Sequence, residues 1–148
     1  MPIRLLCLFL LLASLAAPGV HAAGHFAVAG IGDDAAVGRF LAELQREVAA
    51  GQREQVAALA AYPLRVNTGK RHVILRTQKA LLSAYDRVFN PEVRKALAAQ
   101  KAETLFVNAQ GVMVGDGEIW FGKVAGEDSL RILSVNTSVA GAARHKPS

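Results

Sequence analysis

Cysteine is almost missing from this chain. The single one, Cys7, lies inside an apolar run near the N-terminus, which excludes a disulfide-stapled scaffold and a thiolate metal site. Aromatic residues are sparse, with one tryptophan and two tyrosines, and no dense Lys/Arg run or basic-aromatic interleaving occurs. The net charge of +5 is therefore read as a solvated surface, and no nucleic-acid partner is expected. Histidines at ligand spacing are also lacking: His72 sits among Lys70, Arg71 and Arg76, while His25 and His145 lie far from it, so no metal site is expected. Past residue 22 no apolar run is long enough to cross a bilayer, so no integral membrane span is predicted.

What is present begins with MPIRLLCLFLLLASLAAPGVHAAG. Arg4 precedes an apolar run from Leu5 to Ala17, Pro18-Gly19 breaks it, and Val20 and Ala22 are small. That order predicts a signal peptide over residues 1–22, cleaved near Ala22, and export to the periplasm or beyond. Residues 23–137 are expected to form one domain around a single core, and residues 138–148, which lack apolar periodicity, a disordered tail.

Along the domain the apolar period first reads as helical. Asp33 is placed to cap a helix whose Val37, Phe40, Leu41, Leu44 and Val48 share one face, with Gly51 as its stop. A shorter helix carrying Val56, Leu59 and Ala60 is predicted to end at Pro63. Residues 64–76 read as a hairpin turning at Thr68-Gly69. Thr77 caps a third helix with Leu81, Leu82, Tyr85, Val88 and Phe89 on a wide stripe, and Asn90-Pro91 restarts a fourth through Val93 and Leu97. From Thr104 the period changes to short apolar runs, LFVN, VMV, EIWF and LRILSVN, which predict four strands.

The glycines of NAQGVMVGDGEIWFG raise the question of a phosphate loop. In a G-x-G-x-x-G pattern Trp120 stands where the third glycine belongs, a strand follows where a helix should open, and no Gly-Lys pair precedes a helix. No cofactor is expected. Asp116-Gly117 instead predicts a two-residue primed turn, with Glu118 and Trp120 on one face of the following strand and Ile119 and Phe121 on the other.

The order helix, helix, hairpin, helix and four-stranded meander, with the segments QREQVAALAAYPLRV, LLSAYDRVFNPEVRKAL and QGVMVGDGEIWF, resembles the nuclear-transport-factor-2-like (cystatin-like, ketosteroid-isomerase-like) superfamily. Within it, the chain is similar to exported bacterial members, and the resemblance covers about residues 33–137. It implies an α+β fold in which a curved antiparallel sheet wraps around three or four helices to form a cone with a pocket at its open end. Isomerases and dehydratases of that superfamily place an acidic base with a tyrosine or second acid in the pocket, whereas many other members are binders or dimerisation modules. No catalytic motif carries over, so function has to come from the site.

Few side chains could supply chemistry. Glu118 alternating with Trp120 is the candidate base, because an indole would desolvate the carboxylate. Tyr85 or Tyr62 would be the hydrogen-bond donor, and Asn108 could contact a ligand. Tyr85 on an apolar stripe also serves packing, Asn108 beside Gly111 also serves a turn, and Asp86, which diverges from Tyr85 by about 100 degrees, is expected to pair with Arg87, Lys79 or Lys95. Ser83, Ser129 and Ser134 have no nucleophile-elbow context. The sequence thus leads to an exported, non-catalytic binding module for a small apolar ligand or a protein partner, possible also as a homodimer. A lyase or isomerase using Glu118 is the alternative, and an immunity- or inhibitor-type protein partner the third reading.

Overall fold

The computed structural model describes residues 23–138. Helix α1 spans Asp34–Ala49, α2 Arg53–Ala58, α3 Gln78–Val88 and α4 Pro91–Ala99, with 3-10 turns at Ala27–Ala29 and Ala102–Thr104. Three of the four α-helices start where the sequence places a cap. Asp33 accepts from the Ala35 N–H at 2.9 Å, Thr77 from Ala80 at 3.2 Å and Asn90 from Val93 at 3.0 Å, each satisfying an amide that has no intrahelical partner. Pro91 occupies the first turn of α4, where its missing N–H costs nothing.

The strands are β1 Ala60–Thr68, β2 Arg71–Leu75, β3 Phe106–Asn108, β4 Gly111–Val114, β5 Ile119–Lys123 and β6 Leu130–Ser138. They form one six-stranded sheet in the order β2-β1-β6-β5-β4-β3. The class is α+β as expected, but the sheet is mixed, not purely antiparallel, because β1 and β6 run parallel. A parallel pair needs a long crossover, and here everything from β2 to β5 supplies it. The sheet is neither closed nor strongly curled, so it does not wrap around the helices as a cone.

Three local expectations are also corrected. Pro63 does not stop α2, which ends at Ala58. It lies inside β1, after a cis Tyr62–Pro63 bond, in the interval between Ala60 and Arg65 where the pairing with β6 is interrupted and no ladder N–H is required. The first hairpin turns one residue later than predicted, at Gly69-Lys70 between the paired Thr68 and Arg71, with Gly69 at φ +68°. Between β4 and β5, Val114 pairs with Ile119, so the connection is the four-residue Gly115–Glu118 loop and not a two-residue turn. Gly115 (φ +62°) and Gly117 (φ +115°) take the left-handed positions that Asp116 would have needed, and the Glu118 carboxylate stabilises the longer loop by accepting from the Asp116 N–H at 2.7 Å.

The core lies between the helices and one sheet face. Val37, Leu44, Val56, Leu81, Phe89, Val93 and Leu97 from the helices meet Leu64, Val112, Ile119, Phe121, Ile132 and Val135 from the strands. Phe40 of α1 and Phe121 of β5 pack with ring centroids 4.8 Å apart. Alternation along the strands turns Arg65, Asn67, Met113, Trp120 and Ser134 to the other face, which no helix covers. On that face Leu133 lies over Gly111 and Gly122, at a register shift between β5 and β6.

Candidate functional site

The first hairpin is longer than the helix that covers it. In the register of β1 with β2, Leu64 faces Leu75, Val66 faces Val73 and Thr68 faces Arg71, all on the helix side of the sheet. Leu64 and Leu75 are buried, whereas Val73 remains 49% exposed because α3 presents the small Ala84 opposite this part of the hairpin. The result is a cleft of about 280 Å³ bounded by Val66, Thr68, Val73, Leu75, Ala84, Arg87, Val88 and Thr137. Its walls are mostly aliphatic. Ala84, Arg87 and Val88 reach it together because residues three and four apart share a helix face.

The side chains singled out from the sequence lie elsewhere and apart from one another. Glu118 is half-buried in the β4–β5 loop and lines an open groove of about 410 Å³ with Glu92, Lys95, Ala96 and Asn136. Trp120 points to the uncovered sheet face, in a groove of about 430 Å³ with Arg65, Asn67, Gln110, Leu133 and Ser134, and Phe106 meets it edge-on at 6.5 Å. Glu118 belongs to a loop, not to the strand, so the simple alternation that would put it beside Trp120 does not apply. Only Asn136 borders both grooves; its side chain donates to the Gly117 carbonyl and its backbone N–H to that of Glu118 at 2.8 Å.

Tyr85 is buried in α3 and stacks on Phe89 with centroids 5.0 Å apart. The Arg53 guanidinium lies 5.0 Å from its ring centre and that of Arg94 6.0 Å. Asp86 accepts from both arginines, at 2.9 and 3.0 Å, instead of from Arg87, Lys79 or Lys95, because α2 and α4 bring the two guanidiniums to this side of α3. Burial pushes the Tyr85 phenol above its ordinary range, partly opposed by Arg94 and Arg53, and its hydroxyl has no partner among the described residues. The Tyr62 hydroxyl donates to the Ala57 carbonyl at 2.7 Å, and burial raises its pKa too. Tyr62 borders a third groove with Gln78, Glu127 and Arg131. Asn108 accepts from the Gln110 N–H at 2.8 Å, the turn-forming role.

Among the described residues no group of three or more His, Cys, Asp and Glu side chains is placed to hold a metal, and no helix is long and apolar enough to cross a membrane. Sequence reasoning placed Val88 on a helix stripe and read Val66 and Val73 only as part of the 64–76 hairpin, and it missed Ala84, Arg87 and Thr137 as cleft residues. The available signal was the mismatch between a wide hairpin face rich in β-branched residues and a small alanine on the helix stripe. No protein-family model matches the chain, and searches of curated proteins and of solved structures find no significant match.

Proposed function

We propose that this chain is an exported, non-catalytic binding module whose ligand is small and apolar and occupies the cleft between α3 and the β1–β2 hairpin. The observation that carries the reading is the half-exposed Val73, which lies beside its strand partner Val66 on the sheet side of a hollow whose walls are mostly aliphatic, a surface that water solvates poorly. The order of its elements supports a nuclear-transport-factor-2-like class for the domain, and the Arg4-led apolar run supports export to the periplasm. A binder is favoured over a lyase or isomerase because Glu118 and Tyr62 border different grooves, Tyr85 is buried, and none of the three lines this cleft.

The test is to purify residues 23–148 from the native host, extract the protein with organic solvent and identify small molecules by mass spectrometry. A parallel preparation carries Ala84→Phe, which fills the hollow from its helix wall. A compound that accompanies the parent protein and is lost from a folded Ala84→Phe variant supports the reading. Equal retention by both proteins would place the ligand elsewhere and overturn it.

A second reading, a protein partner, has its own observation. Phe106, 51% exposed at the β3 edge, and Trp120 form an aromatic pair on the uncovered sheet face. Aromatic residues are enriched where protein surfaces meet.

A further inference from the structure

Among the described residues, the cleft has one polar side chain that makes no hydrogen bond or ion pair. Of the three polar side chains on its wall, Thr137 donates its hydroxyl proton to the Asn67 carbonyl at 3.1 Å and Thr68 donates to the Arg71 carbonyl at 3.4 Å. Both threonines thus spend their proton on the backbone. Arg87 remains. All twelve aspartates and glutamates lie among the described residues, and the ion pairs they form go to Arg39, Arg46, Arg53, Arg94, Lys123 and Arg131, never to Arg87. No acid borders the cleft, and Arg71, on the same face of β2 as Val73 and one step nearer the turn, adds positive charge.

Resting on the binding reading above, we infer that the ligand is an amphiphile with an anionic head: an aliphatic chain lies against Val66, Val73 and Val88, and its carboxylate or similar group meets the Arg87 guanidinium at the rim. A guanidinium matches a carboxylate with two parallel N–H donors, and a neutral head group would leave that charge unused. The hollow of about 280 Å³, at ~30 Å³ for each water-sized group, takes roughly nine heavy atoms, which corresponds to a chain of about eight to ten carbons with its head outside.

The experiment compares sodium decanoate, 1-decanol and decyltrimethylammonium by isothermal titration into residues 23–148 at low ionic strength, with the parent protein and with Arg87→Gln and Arg87→Lys. Decanoate is expected to bind about two- to fivefold more tightly than decanol, the size of effect an exposed ion pair gives. Arg87→Gln is expected to remove that preference, so that decanoate and decanol bind the same variant equally, and Arg87→Lys to keep part of it. Added salt narrows the gap, because the head group is at the surface. Equal affinity for all three, or a decanoate preference that survives Arg87→Gln, overturns the head-group assignment and leaves the apolar cleft standing. If none of the three binds, the cleft reading itself falls and this inference with it. Thermal melts of each variant separate loss of binding from loss of fold.

Discussion

The side-chain amide of Gln45 donates at 2.8 Å to the Leu97 carbonyl and at 2.8 Å to the Gln100 carbonyl, so the middle of α1 closes the C-terminus of α4. Helix ends leave carbonyls short of donors; the Leu97 carbonyl already accepts from the Gln100 N–H at 3.3 Å, and the glutamine from a distant helix adds a second donor there and supplies one to the Gln100 carbonyl, in a part-buried place. Gln100 passes the constraint on, since its own Oε1 accepts from the Gly115 N–H at 2.7 Å and holds the loop between β4 and β5. Gln45→Ala is expected to lower stability by about 1–3 kcal/mol, the range for leaving part-buried polar groups unsatisfied. A urea titration checks it: the midpoint should fall at unchanged slope.

Two glycines should respond in opposite directions to the same substitution. A Cβ on Gly38, inside α1, would meet nothing within 4 Å, so Gly38→Ala is expected to add about 0.5–1 kcal/mol by removing backbone freedom from the unfolded chain. A Cβ on Gly111 would lie 2.7 Å from the Phe121 carbonyl oxygen, and its φ of +137° disfavours any side chain. Gly111→Ala is expected to cost about 1–3 kcal/mol, the range for a residue held in a sparsely populated backbone region. Thermal melts of the two variants beside the parent would show one transition raised and the other lowered.

The Asp33 cap should give the acid limb of stability a specific contributor. The hydrogen bond from Arg39, at 2.7 Å, holds the Asp33 carboxyl below its usual 3.8, with help from the Ala35 and Ala36 amides. A depressed carboxyl stabilises the folded chain fully above its unfolded value, and that contribution is lost as pH falls through the lower, folded value. Asp33→Asn keeps an acceptor for the Ala35 amide but has no charge to lose. The melting temperatures of parent and variant should therefore differ near neutrality and converge below pH 3.8, measured as a pH series by circular dichroism.

Three of the four α-helix starts were legible in the sequence because each is written in adjacent residues: Asp33, Thr77 and Asn90 cap through their own short side chains. Strand existence was legible for the same local reason. The partner of β1 was not, because whether β6 approaches it parallel or antiparallel depends on how the intervening crossover packs. The β4–β5 loop misled because Asp116-Gly117 suits a primed turn, yet Gly115 offers a second unhindered position and Glu118 a carboxylate that binds the loop amide. That one shift of register moved Glu118 off the strand and separated it from Trp120. The cleft was hidden because it is made by what α3 fails to cover, and Ala84 gives no sign of a void until the hairpin register sets Val73 opposite Val66.

Tyr85 carries the last prediction. Its ring is fully used, stacked on Phe89 and faced by Arg53, while its hydroxyl is buried without a partner among the described residues. A buried hydroxyl that lost its water and gained nothing is a cost, so Tyr85→Phe is expected to raise stability at neutral pH by about 1 kcal/mol. The gap should widen in alkali. In the unfolded chain the phenol ionises at its usual 10.0, but burial raises that value in the folded chain, so above pH 10 the unfolded state binds fewer protons and stability falls as pH rises. Phenylalanine has no proton to lose, and this part of the alkaline decline disappears with it. Urea titrations of both proteins at neutral pH and at about pH 10.5 test the two halves separately. A variant less stable than the parent at neutral pH would show that the hydroxyl has a partner after all, and a gap that stays constant in alkali would show that its ionisation is not linked to folding.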